Sequence, residues 1–247
     1  MPQKDIEKFN WAYKMFEKTG AIKKGPGHFV YAHGDHGVIY IDKKEIFKDS
    51  TQTSILCEQI AEHFKNLDID IVAGPESGGI IMANWVAMHL SRLKERKVDV
   101  VHLFKKGHFV VVKQEDEKRI EGKKILLVDD IATTGGSLKK CAQVIKNLNG
   151  KIEGVGLLWI RGSFLKLIEM FERILIFSLI NVKIDGWSEE YCQRLGPCSR
   201  NVPINTEFGH GAEFIKKHPK CKTVTDIPFI AGNNSLAPTF SVGDNED

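Results

Sequence analysis

The chain has 247 residues, of which 42% are hydrophobic and 27% charged, and carries a formal net charge of +3 at pH 7. That length suits one α/β domain with additions, large enough to bury its core without staples. The mild charge gives no reason to expect nucleic acid, no apolar run reaches bilayer length, and the polar start "MPQKDIEKFNWAYK" lacks a secretory signal's apolar stretch. Five cysteines, an odd number, point to a reducing cytoplasm rather than a disulfide framework.

Along the chain, Ile6, Phe9, Tyr13 and Phe16 fall at helical spacing within 5–19, and Gly20 follows as a stop. Residues 27–47 read as two strands around a turn at Gly34-Asp35-His36-Gly37. A helix is expected over 51–66, with Ile55, Leu56, Gln59, Ile60, His63 and Phe64 inward. Residues 69–74 form a buried-type strand, 75–79 a turn, 80–96 a helix and 98–104 a strand. The polar stretch 105–122 reads as a mobile hairpin or lid. Strand 125–128, loop 129–136 and helix 137–148 follow, closing on Asn149-Gly150. A buried strand at 154–160, a helix at 164–172 and a strand-like run at 174–184 complete the pattern. Beyond 186 the sequence is irregular, and "NNSLAPTFSVGDNED" reads as a disordered tail. Apolar strands alternating with helices from 51 to 160 imply an α/β fold, a parallel sheet covered on both faces. The expected division is a helix-and-hairpin hood over 1–50, a core over 51–185 and an extension over 186–247.

Chemistry concentrates in "KKILLVDDIATTGGSLKKCAQVIKNLNG" at 123–150. Val128 ends an apolar strand, so Asp129 and Asp130 sit at its carboxyl end, where open α/β sheets bind ligands. Two adjacent acceptor-only carboxylates suit the hydroxyls of a vicinal diol, or a nearby Mg²⁺. The loop that follows has small residues and glycines, and its amides together with the helix start can hold a phosphate. A ribose 5′-phosphate fits both halves. Surface acids before a helix cap would be the bland alternative. A response-regulator receiver shares the "ILLVDD" start without explaining the glycine loop, and a P-loop nucleotidase would need a Gly-x-x-x-x-Gly-Lys-Ser/Thr run that the sequence lacks.

"ILLVDDIATTGGS" resembles the phosphoribosyl-pyrophosphate (PRPP) motif of type I phosphoribosyltransferases, with Ala132 where a larger aliphatic is usual. The resemblance implies that Asp129 and Asp130 bind the ribose hydroxyls, directly or through PRPP-borne Mg²⁺. It also implies that Ile131, Ala132, Thr133, Thr134, Gly135, Gly136 and Ser137 complete the donor site, the last five cradling the 5′-phosphate. One βαβ unit upstream, Gly74, Pro75, Glu76, Ser77, Gly78 and Gly79 stand where the family keeps its pyrophosphate loop. Lys105 and Lys106 open a basic segment (Lys105, Lys106, His108, Lys113, Lys118 and Arg119) that reads either as a solvated hairpin or as a catalytic lid over the departing diphosphate.

The stretch "GAIKKGPGHFVYAHGDHGVIYIDKKEIF" and the strand "LLWIRG" resemble orotate phosphoribosyltransferases, matching at Phe29, Gly34, Tyr40-Ile41-Asp42, Arg161 and Gly162. Phe29 and Arg161 are therefore the base-binding candidates. Asp35, His36, Phe104 and Ile160 depart from that subfamily's pattern. The resemblance implies a Mg²⁺-dependent transferase, often a homodimer, using PRPP and a small nitrogenous base, most simply orotate. A transferase acting on another base and a PRPP-binding regulator without activity stay open.

Cys192, Cys198, Cys221, His210 and His218 gather late in the sequence. Cys192-x5-Cys198 is looser than the tight pairing of a zinc motif, so these read as ordinary thiols, with a structural metal as the lesser alternative. Cys57 and Cys141 fall on inner helix faces and read as core, and Trp187 with Tyr191 reads as packing for the late strand.

Overall fold

A computed structural model describes residues 3–172, 174–184 and 186–224, with side chains from residue 11 onward. The expected tail, residues 233–247, lies outside the described residues. In chain order the elements are α1 (Gln3–Lys18), β1 (Ile22–Val30), β2 (His36–Ile41), α2 (Lys43–Phe47), α3 (Ser50–Phe64), β3 (Ile71–Pro75), α4 (Gly78–Leu93), β4 (Asp99–Lys106), β5 (Phe109–Val111) and α5 (Gln114–Ile120). They continue as β6 (Lys124–Ala132), α6 (Gly136–Asn147), β7 (Lys151–Ile160), α7 (Phe164–Met170), β8 (Leu175–Asn181), α8 (Glu189–Arg194) and α9 (Gly211–Lys217). Two compact units result. One joins the segment before Lys23 to Ile41–Ile184, and the other joins Lys23–Tyr40 to the segment after Ile184. Helix α1 and the β1–β2 hairpin, expected together as one hood, thus fall in different units.

The first unit is a six-stranded sheet in the order β5-β4-β3-β6-β7-β8. Strands β4, β3, β6, β7 and β8 run parallel, and β5 is an antiparallel edge. Successive residues of β6 serve opposite faces, as strand geometry requires. Leu126 and Val128 pack with Leu56, Ile60, Phe64, Val86 and Leu90 from α3 and α4. Ile125 and Leu127 pack with Ile120, Leu138, Cys141, Ile145 and Leu167 from α5, α6 and α7. The doubly covered parallel sheet is the architecture the alternating pattern implied.

Several local expectations change. In α3 the buried stripe is Thr53, Leu56, Cys57, Ile60, Ala61 and Phe64, while Ile55 turns outward. Residues 43–47 form α2 rather than the end of a strand, because the Asp42 side chain accepts from the Lys44 amide at 3.2 Å and starts a turn of helix. The polar 105–122 stretch resolves into the tight β4–β5 hairpin followed by α5. Strand β6 runs four residues further than its apolar run, since pairing with β7 continues through Asp129↔Leu157 and Ala132↔Ile160. Helix α4 starts at Gly78 and Pro75 ends β3.

Helix α1 docks through Ala12 and Phe16. The Phe16 ring meets Trp159 edge-on at 5.3 Å, and the Trp159 indole donates to the Val182 carbonyl at 3.0 Å.

The second unit is built on the β1–β2 hairpin. His36 of β2 exchanges both backbone hydrogen bonds with Trp187, each at 2.8 Å. Trp187 therefore pairs with the hairpin, where packing on the late strand was expected. His28 and Thr223 flank Ile204 as isolated parallel bridges. Val30, Ile204 and Phe214 form a small separate core. Within the described residues, the extension that reads as irregular is thus tied to the hairpin by these bridges rather than by long elements.

Phe16→Ala is expected to cost about 3–5 kcal/mol of folding stability through loss of a fully buried aromatic. Urea unfolding of the variant against the parent checks this, and a midpoint unchanged within error would show that α1 does not contribute to the core.

Candidate active site

The site is built at the carboxyl ends of the adjacent strands β3 and β6. Asp129 and Asp130 are both buried, at 8% and 2% exposure. Each carboxylate first serves the backbone: the Asp130 amide donates to Asp129 Oδ1 at 2.9 Å, and the Ile131 amide to Asp130 Oδ1 at 2.7 Å. Asp130 also meets Lys43 of α2, whose Nζ lies 2.9 Å from Oδ2 and donates to Oδ1 at 3.3 Å. The pair joins a buried acid to a half-exposed lysine, so the charge on Asp130 is compensated where water cannot reach it.

The upstream loop closes on the same carboxylate. A side chain at Gly78 would place its Cβ 1.7 Å from Asp130 Oδ2 and 2.8 Å from the Phe47 ring. Gly74 and Gly79 are in similar contact, where a Cβ on Gly74 would meet the Gly79 carbonyl oxygen at 2.0 Å. The glycines of 74–79 are therefore required by close packing. Glu76, whose peptide to Ser77 is cis, accepts from the Lys105 amide at 2.7 Å, and its own amide donates to Leu103 at 2.8 Å. This ties the turn to the start of the β4–β5 hairpin, and Lys140 donates to the His108 carbonyl at 2.9 Å from the other side.

Downstream, the loop is shorter than expected, because Ile131 and Ala132 are still strand. Gly135 has φ +75°, the left-handed conformation that only glycine adopts cheaply, and it caps α6. The Gly136 amide donates to Thr134 Oγ1 at 3.4 Å and the Lys139 amide to the Gly135 carbonyl at 2.9 Å. Residues Thr133 to Ser137 thus bend around the positive end of a twelve-residue helix, which suits a phosphate. Arg161 and Gly162 lie alongside: the Arg161 amide donates to the Ala132 carbonyl at 2.8 Å, and a Cβ on Gly162 would strike the Thr133 carbonyl oxygen at 1.8 Å.

The structure thus brings 74–79, 129–137, Lys105 and Arg161 together within one unit. Lys106 is exposed at the hairpin turn. Phe29 falls in the second unit, fully buried with its ring 5.7 Å from that of Tyr40. Sequence reasoning missed Lys43 and Phe47. The Asp42-Lys43-Lys44-Glu45 run, an acid followed three residues later by Glu, was the signal for a helix start there.

Burial, and then the neighbouring charge of Asp130, hold the Asp129 carboxyl well above the usual carboxylate range, against weaker opposite pulls from the Asp130 amide, Lys43 and Lys105. Ionising it becomes easier when positive charge arrives.

Closely apposed glycine turns beside a buried acid pair at neighbouring strand ends form a geometry that suits a phosphorylated sugar. A family model described as the phosphoribosyl transferase domain matches residues 47–186, and the chain belongs to the phosphoribosyltransferase family. The orotate phosphoribosyltransferase of Caldanaerobacter subterraneus subsp. tengcongensis is 32% identical over 192 residues, spanning 77% of this chain and 92% of that protein. Among solved structures, the orotate phosphoribosyltransferase of Aeropyrum pernix superposes with a TM-score of 0.54 at 22% identity, covering 74% of this chain and 97% of that one. The adenine phosphoribosyltransferase of Thermoanaerobacter pseudethanolicus gives 0.53 at 21% identity, covering 68% and 99%. These structural likenesses are of fold, shared by enzymes of different bases. Among the described residues no helix is long and apolar enough to cross a membrane.

Two outcomes follow. Gly78→Ala must displace Asp130 or the start of α4 and is expected to cost about 1–3 kcal/mol. At Gly136 a Cβ meets only Thr134 Oγ1, at 3.5 Å, so Gly136→Ala should stay within about 0.5 kcal/mol of the parent. Thermal unfolding of both separates a packed turn from an open one, and equal losses would contradict the packing described. For Asp129, the folded chain keeps a proton that the unfolded chain loses above its ordinary value of 3.8. Stability of the ligand-free protein therefore falls as pH rises through that window. Asp129→Asn removes this slope, so its melting temperature relative to the parent should climb between pH 5 and pH 8 (roughly the span between the two states' titrations). A pH-independent difference would show that Asp129 ionises normally.

Proposed function

We propose that this chain transfers the 5-phosphoribosyl group of PRPP to a ring nitrogen of orotate, releasing pyrophosphate and forming orotidine 5′-monophosphate. The observation that carries the donor half is the contact of the Gly78 turn with the Asp130 carboxylate, which sets two anion-binding loops either side of a diol site. The acceptor half rests on the 32% identity with an orotate phosphoribosyltransferase and on Arg161 beside the donor loop.

In the reaction the bond from C1 of the ribose to the diphosphate oxygen breaks, its electron pair leaving with the diphosphate, while the base nitrogen forms the new bond to C1 and its N–H proton passes to the diphosphate or to water. Catalysis of this kind is positioning and electrostatics. Asp129 and Asp130 accept hydrogen bonds from the ribose hydroxyls and set negative charge near C1, where positive charge develops. That developing charge favours the ionised form of Asp129. Lys43 holds the Asp130 carboxylate in place. Residues 133–137 anchor the 5′-phosphate through backbone amides, and 74–79 with Lys105 and Lys106 receive the departing diphosphate. The β4–β5 hairpin, carrying Phe109 at 75% exposure, closes as a lid and excludes water from C1. Arg161 holds the polar edge of the base.

Mg²⁺ is proposed as the cofactor. The hard carboxylate oxygens of Asp129 and Asp130 fit it, but Asp130 is already paired with Lys43, which favours an ion carried largely on substrate oxygens. When bound it supplies positive charge beside the leaving diphosphate. A cytoplasmic homodimer is the proposed working form, in keeping with the free cysteines and the family.

Incubating the purified chain with PRPP, Mg²⁺ and orotate, uracil or purine bases tests the reading. Pyrophosphate release with orotate alone is expected. Donor binding without release for any base would instead favour a PRPP-sensing regulator, and release only with a purine would reassign the acceptor. The Asp129→Asn/Asp130→Asn double variant should lose about a hundredfold or more in kcat/KM while remaining folded by circular dichroism.

A further inference from the structure

The second unit holds a side-chain cluster that the transferase reaction does not use. His28 and His36 of the hairpin and Cys192 of α8 are each fully buried, and the half-buried Cys198 follows α8. One ligating atom from each lies within 4.8 Å of the other three. His28 Nε2 is 3.1 Å from His36 Nδ1, 3.3 Å from Cys198 Sγ and 3.9 Å from Cys192 Sγ, and Cys198 Sγ is 3.5 Å from His36 Nδ1.

Hydrogen bonding among these groups accounts poorly for such convergence. His28 Nδ1 lies 3.1 Å from the Pro203 carbonyl oxygen, which can only accept. The proton therefore sits on Nδ1, and Nε2 presents one lone pair. A single lone pair cannot satisfy an imidazole and two thiols at once, whereas one cation at the centre takes a lone pair from all four.

We propose that His28, His36, Cys192 and Cys198 form a structural Zn²⁺ site. Zinc bonds nitrogen at about 2.0–2.1 Å and sulfur at about 2.3 Å, so the corners of a tetrahedral Cys₂His₂ site stand about 3.3–3.8 Å apart. The observed separations of 3.1, 3.3, 3.5 and 3.9 Å bracket that range. Two nitrogens with two sulfurs select zinc over the oxygen-seeking cations. The surroundings are those of a ligand shell. The Pro203 carbonyl orients His28, the Cys198 amide donates to Cys192 Sγ at 3.4 Å, and the His36 ring is stacked on His28 at 5.2 Å and met edge-on by Phe214 at 4.8 Å. Four protein ligands and burial leave no open coordination position, which assigns the ion a structural role.

The ion joins two segments distant in sequence, since His28 and Cys198 are 170 positions apart. It fastens the extension after Ile184 to the β1–β2 hairpin, in a unit whose own apolar core is small. Binding and folding of this unit are therefore coupled.

The full chain, expressed with added zinc and dialysed without chelator, is expected to carry about one zinc per chain by inductively coupled plasma mass spectrometry. The Cys192→Ser/Cys198→Ser variant should lose at least about nine-tenths of it. Should that variant fail to fold, Co²⁺ added to the metal-stripped parent decides. Tetrahedral visible bands with a thiolate-to-cobalt charge-transfer band, saturating at one equivalent, are expected. A parent that retains no zinc after zinc loading, an octahedral cobalt spectrum without thiolate charge transfer, zinc unchanged in the variant, or a Cys192–Cys198 disulfide in freshly purified protein would each overturn the site.

Discussion

A carboxylate at the centre of a sheet needs both a counter-charge and room, and Asp130 is given both. Lys43 supplies the charge from α2, at 2.9 Å, and the absence of a side chain at Gly78 supplies the room. The rest of the first unit can be read outward from this contact. The Gly78 turn can reach Asp130 because β3 and β6 are paired neighbours. Their pairing is secured by the apolar residues that α3 and α4 cover on one side and α5, α6 and α7 on the other. Desolvation makes the arrangement consequential. The burial that raises Asp129 also strengthens any interaction the pair makes with charge appearing on a substrate.

The parts legible in the sequence were those with a local signature. Alternating apolar strands and helices gave the parallel sheet, because period alone decides which residues face the core. The run from Asp129 to Ser137 and the glycines at 74–79 were legible because strand, glycine turn and helix follow one another locally, although the constraint on Gly78 comes from Asp130, far along the chain. Less visible was anything set by pairing. Asp129 to Ala132 read as loop, yet their hydrogen bonds go to β7, and no propensity of Asp reveals that. Lys43 was hidden because its partner lies 87 residues away, although the capping signal at Asp42 was available. Helix α5 was obscured by its charges, with only Ile120 buried.

The same limit explains the second unit. Cys192 and Cys198 lack the close spacing of a zinc motif, and His28 and His36 stand on a hairpin far upstream. The turn at Gly34–Gly37 departs from the orotate pattern at Asp35 and His36. The structure gives His36 a different setting, facing His28 and Cys198. Phe29, one position from His28, is buried with it. A departure from a family pattern can thus mark an added structural demand as well as a changed substrate.

In the proposed reaction the two glycine turns hold two ends of one ligand, with the acid pair between them. Calorimetric titration with pyrophosphate, ribose 5-phosphate and PRPP, singly and in combination, tests this most directly. PRPP is expected to displace each of the others, while pyrophosphate and ribose 5-phosphate bind together to the same chain. Mutual exclusion of pyrophosphate and ribose 5-phosphate, or PRPP binding that leaves pyrophosphate in place, would contradict it.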